Sequence, residues 1–365
     1  MNATAALHAM GQSLWLDNIT RDLLDKGALD RYIAELSVTG LTSNPTIFDR
    51  AVGATAAYDQ SILQLGRSGL HGEDLFFGLA LEDLRRAADA LRPIFNRTHG
   101  VDGWVSLEVS PLLVNDSTAT AREALRLWTA AGRPNLFIKI PGTPAGLAAT
   151  EESIYAGVPV NVTLLFSTVQ YQAAADAYTR GIERRVADRL DPRVGSVASV
   201  FVSRWDSAVA DRVPRELRMQ LGIAVARQTY RAYRDLLATD RWQRLANEGA
   251  LPQRLLWAST GVKDPSAPDT LYVSALAAPH TVNTMPEGTL LAFAEHGSVG
   301  SVLASAGADT GPSLVDFAAA GVEVDALGSQ LQREGAEAFV RSWEHLLACI
   351  RDRLDTLGAA QEGTR

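Results

Sequence analysis

Only three of the chain's 34 basic residues are lysines, namely Lys26, Lys139 and Lys263; the rest are arginines. Lysine can shed its proton and act as a nucleophile, which arginine in practice cannot. Each lysine in so arginine-rich a chain is therefore a test for amine chemistry. Lys139 interrupts the apolar run NLFIKIPGT (135–143), where a buried strand would carry Val or Ile. A free lysine has a pKa of about 10.4, and low-dielectric surroundings disfavour the ammonium form. A neutral amine attacks a ketone carbonyl and forms a Schiff base. The protonated imine then accepts the electron pair left when the neighbouring carbon–carbon bond breaks. Such chemistry needs acid–base groups within reach. Glu108 in GWVSLEVS (103–110) and Asp17 in SLWLDNIT (13–20) qualify, and Asn44 and Asn161 suit the hydroxyl groups of a sugar.

Something must bring these residues together. Eight short runs read as strands: 13–20, 37–44, 103–110, 136–141, 159–166, 197–202, 254–260 and 280–286. Amphipathic segments lie between most of them, among them 73–95, 116–132 and 215–238. In the second, DSTA (116–119) offers cap residues, and Gly132 with Pro134 stops the helix. The third repeats its apolar positions every three to four residues. Eight strands alternating with helices predict a single (β/α)8 TIM barrel spanning 1–365, with additional C-terminal helices over 316–357. A doubly wound sheet is the alternative, but its Gly-x-Gly-x-x-Gly turn is absent. No Pro/Gly/Ser-rich linker divides the chain.

Side chains alternate along a strand, so parity sorts them by face. Phe137 and Lys139 oppose Leu136, Ile138 and Ile140. Ser106, Glu108 and Ser110 oppose Val105, Leu107 and Val109. Asn161, Thr163 and Leu165 oppose Val160, Val162 and Leu164, and Trp15 with Asp17 opposes Leu14 and Leu16. Four strands thus pair an apolar face with a face carrying a polar group near its C-terminal end, where barrel active sites form. Taken singly, each has a structural reading: Lys139 and Glu108 as an ion pair, Asn161 and Thr163 as strand-end satisfiers. Their recurrence at one depth favours a site.

A positive region follows the sixth and seventh strands. SVFVSRWD (199–206) carries Ser203 and Arg204; LLWASTGVKDP (255–265) carries Ser259, Gly261 and Lys263. Loops at that end of a barrel often bind phosphate. The alternative for Lys263 is an ion pair with Asp264 on a wet loop. Lys26, between carboxylates in DLLDKGALD, reads as surface.

Composition narrows the classes. A net charge of −8 with scattered basic residues argues against general nucleic-acid binding. No run approaches the roughly 18 apolar residues of a membrane span. The first ten residues show no signal peptide, and the lone Cys349 fits a reducing, cytoplasmic compartment. No lysine follows a glycine as a P-loop requires, and neither H-E-x-x-H nor C-x-x-C occurs, so no metal or cofactor is asked for.

The ordered set WLDNITRDLL (15–24), GLTSNPTIF (40–48), SLEVSP (106–111), FIKIPGT (137–143), GVPVNVTLLFS (157–167), SVFVSRWD (199–206), WASTGVKDP (257–265) and HTVNTMPEGTL (280–290) closely resembles the transaldolase family, in its longer bacterial branch. The resemblance implies a metal-free, class I aldolase-type barrel. It implies transfer of a dihydroxyacetone unit between a phosphorylated ketose and a phosphorylated aldose, linking sedoheptulose 7-phosphate and fructose 6-phosphate in the pentose phosphate pathway. Lys139 matches the Schiff-base lysine, and Asp17 the acid/base of carbon–carbon cleavage. Glu108 and Thr163 match the pair that positions a water. Asn44, Asn161 and Ser199 match the residues that hold the dihydroxyacetone hydroxyls, and Arg204 the phosphate arginine; Ser259 and Lys263 take a phosphate role by extension. Related fructose 6-phosphate aldolases tend to carry Gln and Tyr where this chain has Glu108 and Phe201, so both positions follow the transferase pattern. A sugar-phosphate-binding protein without catalysis is the reading from another class.

Overall fold

Strand parity becomes two separate apolar clusters in the computed structural model, which describes residues 2–303 and 311–362. The strands are β1 (Gln12–Asp17), β2 (Val38–Thr42), β3 (Trp104–Glu108), β4 (Leu136–Pro141), β5 (Val160–Leu165), β6 (Ser196–Phe201), β7 (Arg254–Ala258) and β8 (Thr281–Met285). They are parallel and follow sequence order, and β8 pairs back onto β1 to close the barrel. All eight predicted strands are present, with helices interspersed. Parallel neighbours need a long crossover, and each amphipathic helix supplies one.

Leu14, Leu16, Val105, Leu107, Ile138, Ile140, Val160 and Val162 join the large cluster shared with the surrounding helices. Trp15, Trp104, Phe137, Val197, Leu256 and Val282 belong to a second cluster, inside the barrel. Trp104 stacks on Phe137 with centroids 4.0 Å apart, and Trp15 lies 6.1 Å from Phe137. β2 makes room for the indole with Gly40: a Cβ there would sit 2.5 Å from Trp15 Nε1. Two residues further along the same strands come Asp17, Thr42, Ser106, Lys139 and Ser199. The interior therefore changes from an apolar plug to a polar layer toward the C-terminal ends.

The helices start where their caps dictate. Asp116 accepts from Ala119 N at the head of Ser117–Ala131, which ends at left-handed Gly132. Asn44 accepts from Ile47 N ahead of Pro45–Ala54, and a Ser167–Gln170 capping box opens Thr168–Ala187. Two predicted helices are interrupted. Within 215–238 the α-helix begins only at Leu221, because Met219 is left-handed (φ 61°) and Arg215–Leu217 form a 3-10 turn. The C-terminal stretch 316–357 is split at Gly321 (φ 82°) into Leu314–Ala319 and the terminal helix Val324–Glu362.

The terminal helix lies against the barrel's C-terminal side. Trp343 Nε1 donates to Glu73 Oε1 (2.7 Å), which also accepts from Ser110 (2.6 Å). Gln332 Nε2 reaches the backbone just past β4 and near the end of β5. No helix among the described residues is long and apolar enough to cross a membrane.

Candidate active site

The register of the barrel aligns the key residues: Glu108 pairs with Lys139 across β3–β4, and Lys139 with Asn161 across β4–β5. All three are buried. Lys139 Nζ donates to the backbone oxygen of Ser43 at 2.9 Å and lies 3.5 Å from Glu108 Oε2. The latter is an ion-pair contact, too long for a strong hydrogen bond. Among the described residues neither Glu108 carboxylate oxygen has a hydrogen-bond partner, and neither does the buried Thr163 hydroxyl. Burial pushes the Glu108 carboxyl above the ordinary carboxylate range; the Lys139 charge pulls it back, and Asp17 adds a smaller push upward.

Asp17 ends β1, accepts from Thr42 Oγ1 at 2.8 Å, and Thr42 in turn meets Thr284 at 2.7 Å. Burial raises the Asp17 carboxyl, opposed in decreasing order by Lys139, the Thr42 hydrogen bond and Lys263. On the other side of the lysine, Ser199 Oγ donates to Asn161 Oδ1 (2.6 Å), and Asn161 Nδ2 donates to Ser106 Oγ (3.3 Å). Acid–base groups thus flank the amine on one side and a rigid amide–hydroxyl chain on the other. Asn44 stands half-buried at the rim, its side-chain oxygen committed to Ile47 N.

The face assignment needs one correction. Leu164 adopts a left-handed conformation (φ 58°), and the β5–β6 register slips between Val162 and Leu165. Leu164 therefore joins the cluster of Phe166, Phe201 and Trp205, while Leu165 joins the helix-facing cluster, the reverse of simple alternation. The irregularity begins directly after Thr163.

The positive region is spread wider. Ser203 Oγ and Ser259 Oγ are 2.9 Å apart, and Ser203 N donates to Ser259 O at 3.0 Å, so the two loops meet. The Arg204 guanidinium lies 5.3 Å from the Phe201 ring and is lowered in basicity by burial, with Glu334 acting in the opposite sense. Lys263 is exposed; the neighbouring Asp264 bonds Ser266 instead, so the alternative ion pair does not form. Lys26 is exposed and pairs with Asp22 at 2.9 Å.

Sequence reasoning missed Thr42, the Ser43 carbonyl and Gln332. Thr42 was readable by parity, two residues beyond Gly40 on the same face. A backbone carbonyl and a residue on a remote helix left no such signal. Among the described residues no group of three or more His, Cys, Asp or Glu is placed to hold a metal. A cavity of about 840 Å3 lined by Thr168, Gln228, Arg241 and Trp242 opens outside the barrel and contains none of the candidate residues.

Comparison with known proteins agrees with this geometry. The family model described as transaldolase/fructose-6-phosphate aldolase matches residues 14–350. A transaldolase of Saccharopolyspora erythraea is 45% identical over 357 residues, covering 96% of this chain and 97% of its own. Those of Acidothermus cellulolyticus and Thiobacillus denitrificans are each 44% identical, covering 96% of this chain and 96% and 100% of their own. Fold and kinship together define an aldolase-type transferase. The chain belongs to the transaldolase/fructose-6-phosphate aldolase family.

Proposed function

We propose that the chain is a transaldolase that moves a dihydroxyacetone unit between sugar phosphates through a Schiff base on Lys139. The observation that carries this reading is a buried amine 3.5 Å from an equally buried carboxylate, inside a barrel mouth lined with polar groups. Lys139 Nζ attacks the ketone carbon of fructose 6-phosphate, and loss of water gives the imine. Asp17 takes the proton of the C4 hydroxyl as the C3–C4 bond breaks. The electron pair passes into the protonated imine, and glyceraldehyde 3-phosphate leaves. The bound three-carbon carbanion then adds to the aldehyde of erythrose 4-phosphate. Asp17 returns the proton, and hydrolysis of the imine releases sedoheptulose 7-phosphate.

Glu108 and Thr163 hold the water that carries protons during imine formation and hydrolysis. Their buried side-chain oxygens lack hydrogen-bond partners among the described residues, and buried polar groups are ordinarily satisfied. Asn161, Ser199 and Asn44 hold the hydroxyls of the three-carbon unit. Arg204, with Ser259 and Lys263, receives the phosphate; Arg204 supplies a fork of donors suited to it. The barrel and its terminal helix work as one unit in the cytoplasm.

Borohydride added with fructose 6-phosphate should leave a reduced adduct on Lys139, and Lys139→Arg should form none. An adduct mapped to Lys26 or Lys263, or failure of the wild type to form sedoheptulose 7-phosphate from fructose 6-phosphate and erythrose 4-phosphate, would sink the reading.

A further inference from the structure

We infer that Gln332, on the terminal helix, is a positioning residue for Thr163 and so for the proton transfers around the imine. Its Nε2 donates to two backbone oxygens at once, Gly142 O at 3.0 Å and Leu164 O at 2.9 Å. These carbonyls lie just past the end of β4 and within the irregular end of β5. Between them Gly142 N donates to Thr163 O at 2.7 Å. One side-chain amide therefore clamps the strand ends on both sides of Thr163.

The clamp matters because the backbone there is unfavourable by itself. Leu164 is a non-glycine residue with a φ of 58°, a conformation that crowds Cβ against the following carbonyl. The same helix passes close to its side chain: a Cβ added at Gly335 would meet Leu164 Cδ2 at 3.0 Å. Gly328 sits equally close to the barrel, a Cβ there meeting Trp205 at 3.1 Å. Glycines one turn to either side let the helix approach until the Gln332 amide reaches both carbonyls. Strained residues persist only where their surroundings over-determine them. Gln332 supplies that constraint one residue away from the Thr163 hydroxyl, which has no hydrogen-bond partner of its own among the described residues. The inference rests on the proposed role of Thr163.

The test uses the full chain and two variants. Gln332→Met keeps length and apolar bulk but donates nothing. Gln332→Glu is isosteric, and its carboxylate faces two carbonyl oxygens until it is protonated. Wild-type transfer is measured first: no transfer would sink the functional reading itself. Given transfer, kcat is expressed per borohydride-trappable Lys139, which removes any loss of folded enzyme. The Met variant should lose about tenfold in kcat while KM for fructose 6-phosphate stays within about twofold, since the hydroxyl-holding residues are untouched. The Glu variant should recover toward the wild type on the acid side, adding an ionisation to the pH profile that the wild type lacks. Unchanged kcat per trapped lysine in Gln332→Met, or a wild-type pH profile in Gln332→Glu, would overturn the inference and leave the functional reading standing.

Discussion

Replacing Glu108 with Gln separates catalysis from stability. At 3.5 Å from Lys139 Nζ the carboxylate interacts by roughly 5 kcal/mol at an effective dielectric of about 20, and by about 1 kcal/mol in water. Taken alone, that attraction suggests a stabilising pair. The balance is reported by the carboxyl itself. Its pKa in the folded protein is raised, with burial outweighing the Lys139 charge. A carboxyl raised on folding binds more protons folded than unfolded, so stability falls as pH rises through the window above its ordinary value near 4.5. Each unit of elevation removes about 1.4 kcal/mol above that window. Glutamine mimics the protonated form. The variant should therefore be at least as stable as the wild type at pH 7 and lose that advantage below about pH 4.5. Activity should move the opposite way. Loss of a proton-transfer group lowers kcat by about 10²- to 10⁴-fold, or roughly 3–5 kcal/mol of barrier, with KM little changed. Thermal melts from pH 4 to 8 and steady-state transfer kinetics measure both. A stability loss at pH 7 near the roughly 3–5 kcal/mol of a broken buried ion pair would refute the energetic reasoning. A kcat within about threefold of the wild type would refute the assigned role.

Substitutions at two further positions probe the rest of the mouth. Gly335→Ala would place a Cβ 3.1 Å from Arg204 Nη1 and 3.0 Å from Leu164 Cδ2, moving the guanidinium by a few tenths of an ångström. Hydrogen bonds to charged groups are worth about 1.5–3 kcal/mol, and losing part of one should raise KM for sugar phosphates about three- to tenfold. Unchanged KM for fructose 6-phosphate would remove Arg204 from phosphate binding or show that it has room to shift. Phe201 lies 5.3 Å from Phe166 and close to the Arg204 guanidinium, keeping that wall of the mouth apolar. Phe201→Tyr adds a hydroxyl able to relay a proton to the carbanion, so glyceraldehyde 3-phosphate release without acceptor should rise and transfer should fall. Phe201→Leu should not raise release; equal release by both variants would show that the hydroxyl is not the cause.

The features legible from the residues alone are local in origin. The eight strands were legible because a strand's side-chain period of two writes itself into neighbouring residues. The same period put Lys139, Glu108, Asp17 and Asn161 on polar faces, and the scarcity of lysine singled out the amine. Caps such as Asp116 and Asn44 act within three residues and were readable for that reason. Tertiary structure decided the rest. The Ser43 carbonyl that receives the Lys139 amine is a backbone atom 96 residues away, and every residue type offers one. Alternation fails at Leu164 because its left-handed backbone is held by packing and by Gln332, whose two acceptors lie 168 and 190 residues distant. Which glutamine of a helix will meet which carbonyl depends on how that helix is seated, and the seating follows from closing the barrel. Sequence periodicity can encode the face a residue occupies. It cannot encode a partner whose position exists only after the chain has folded.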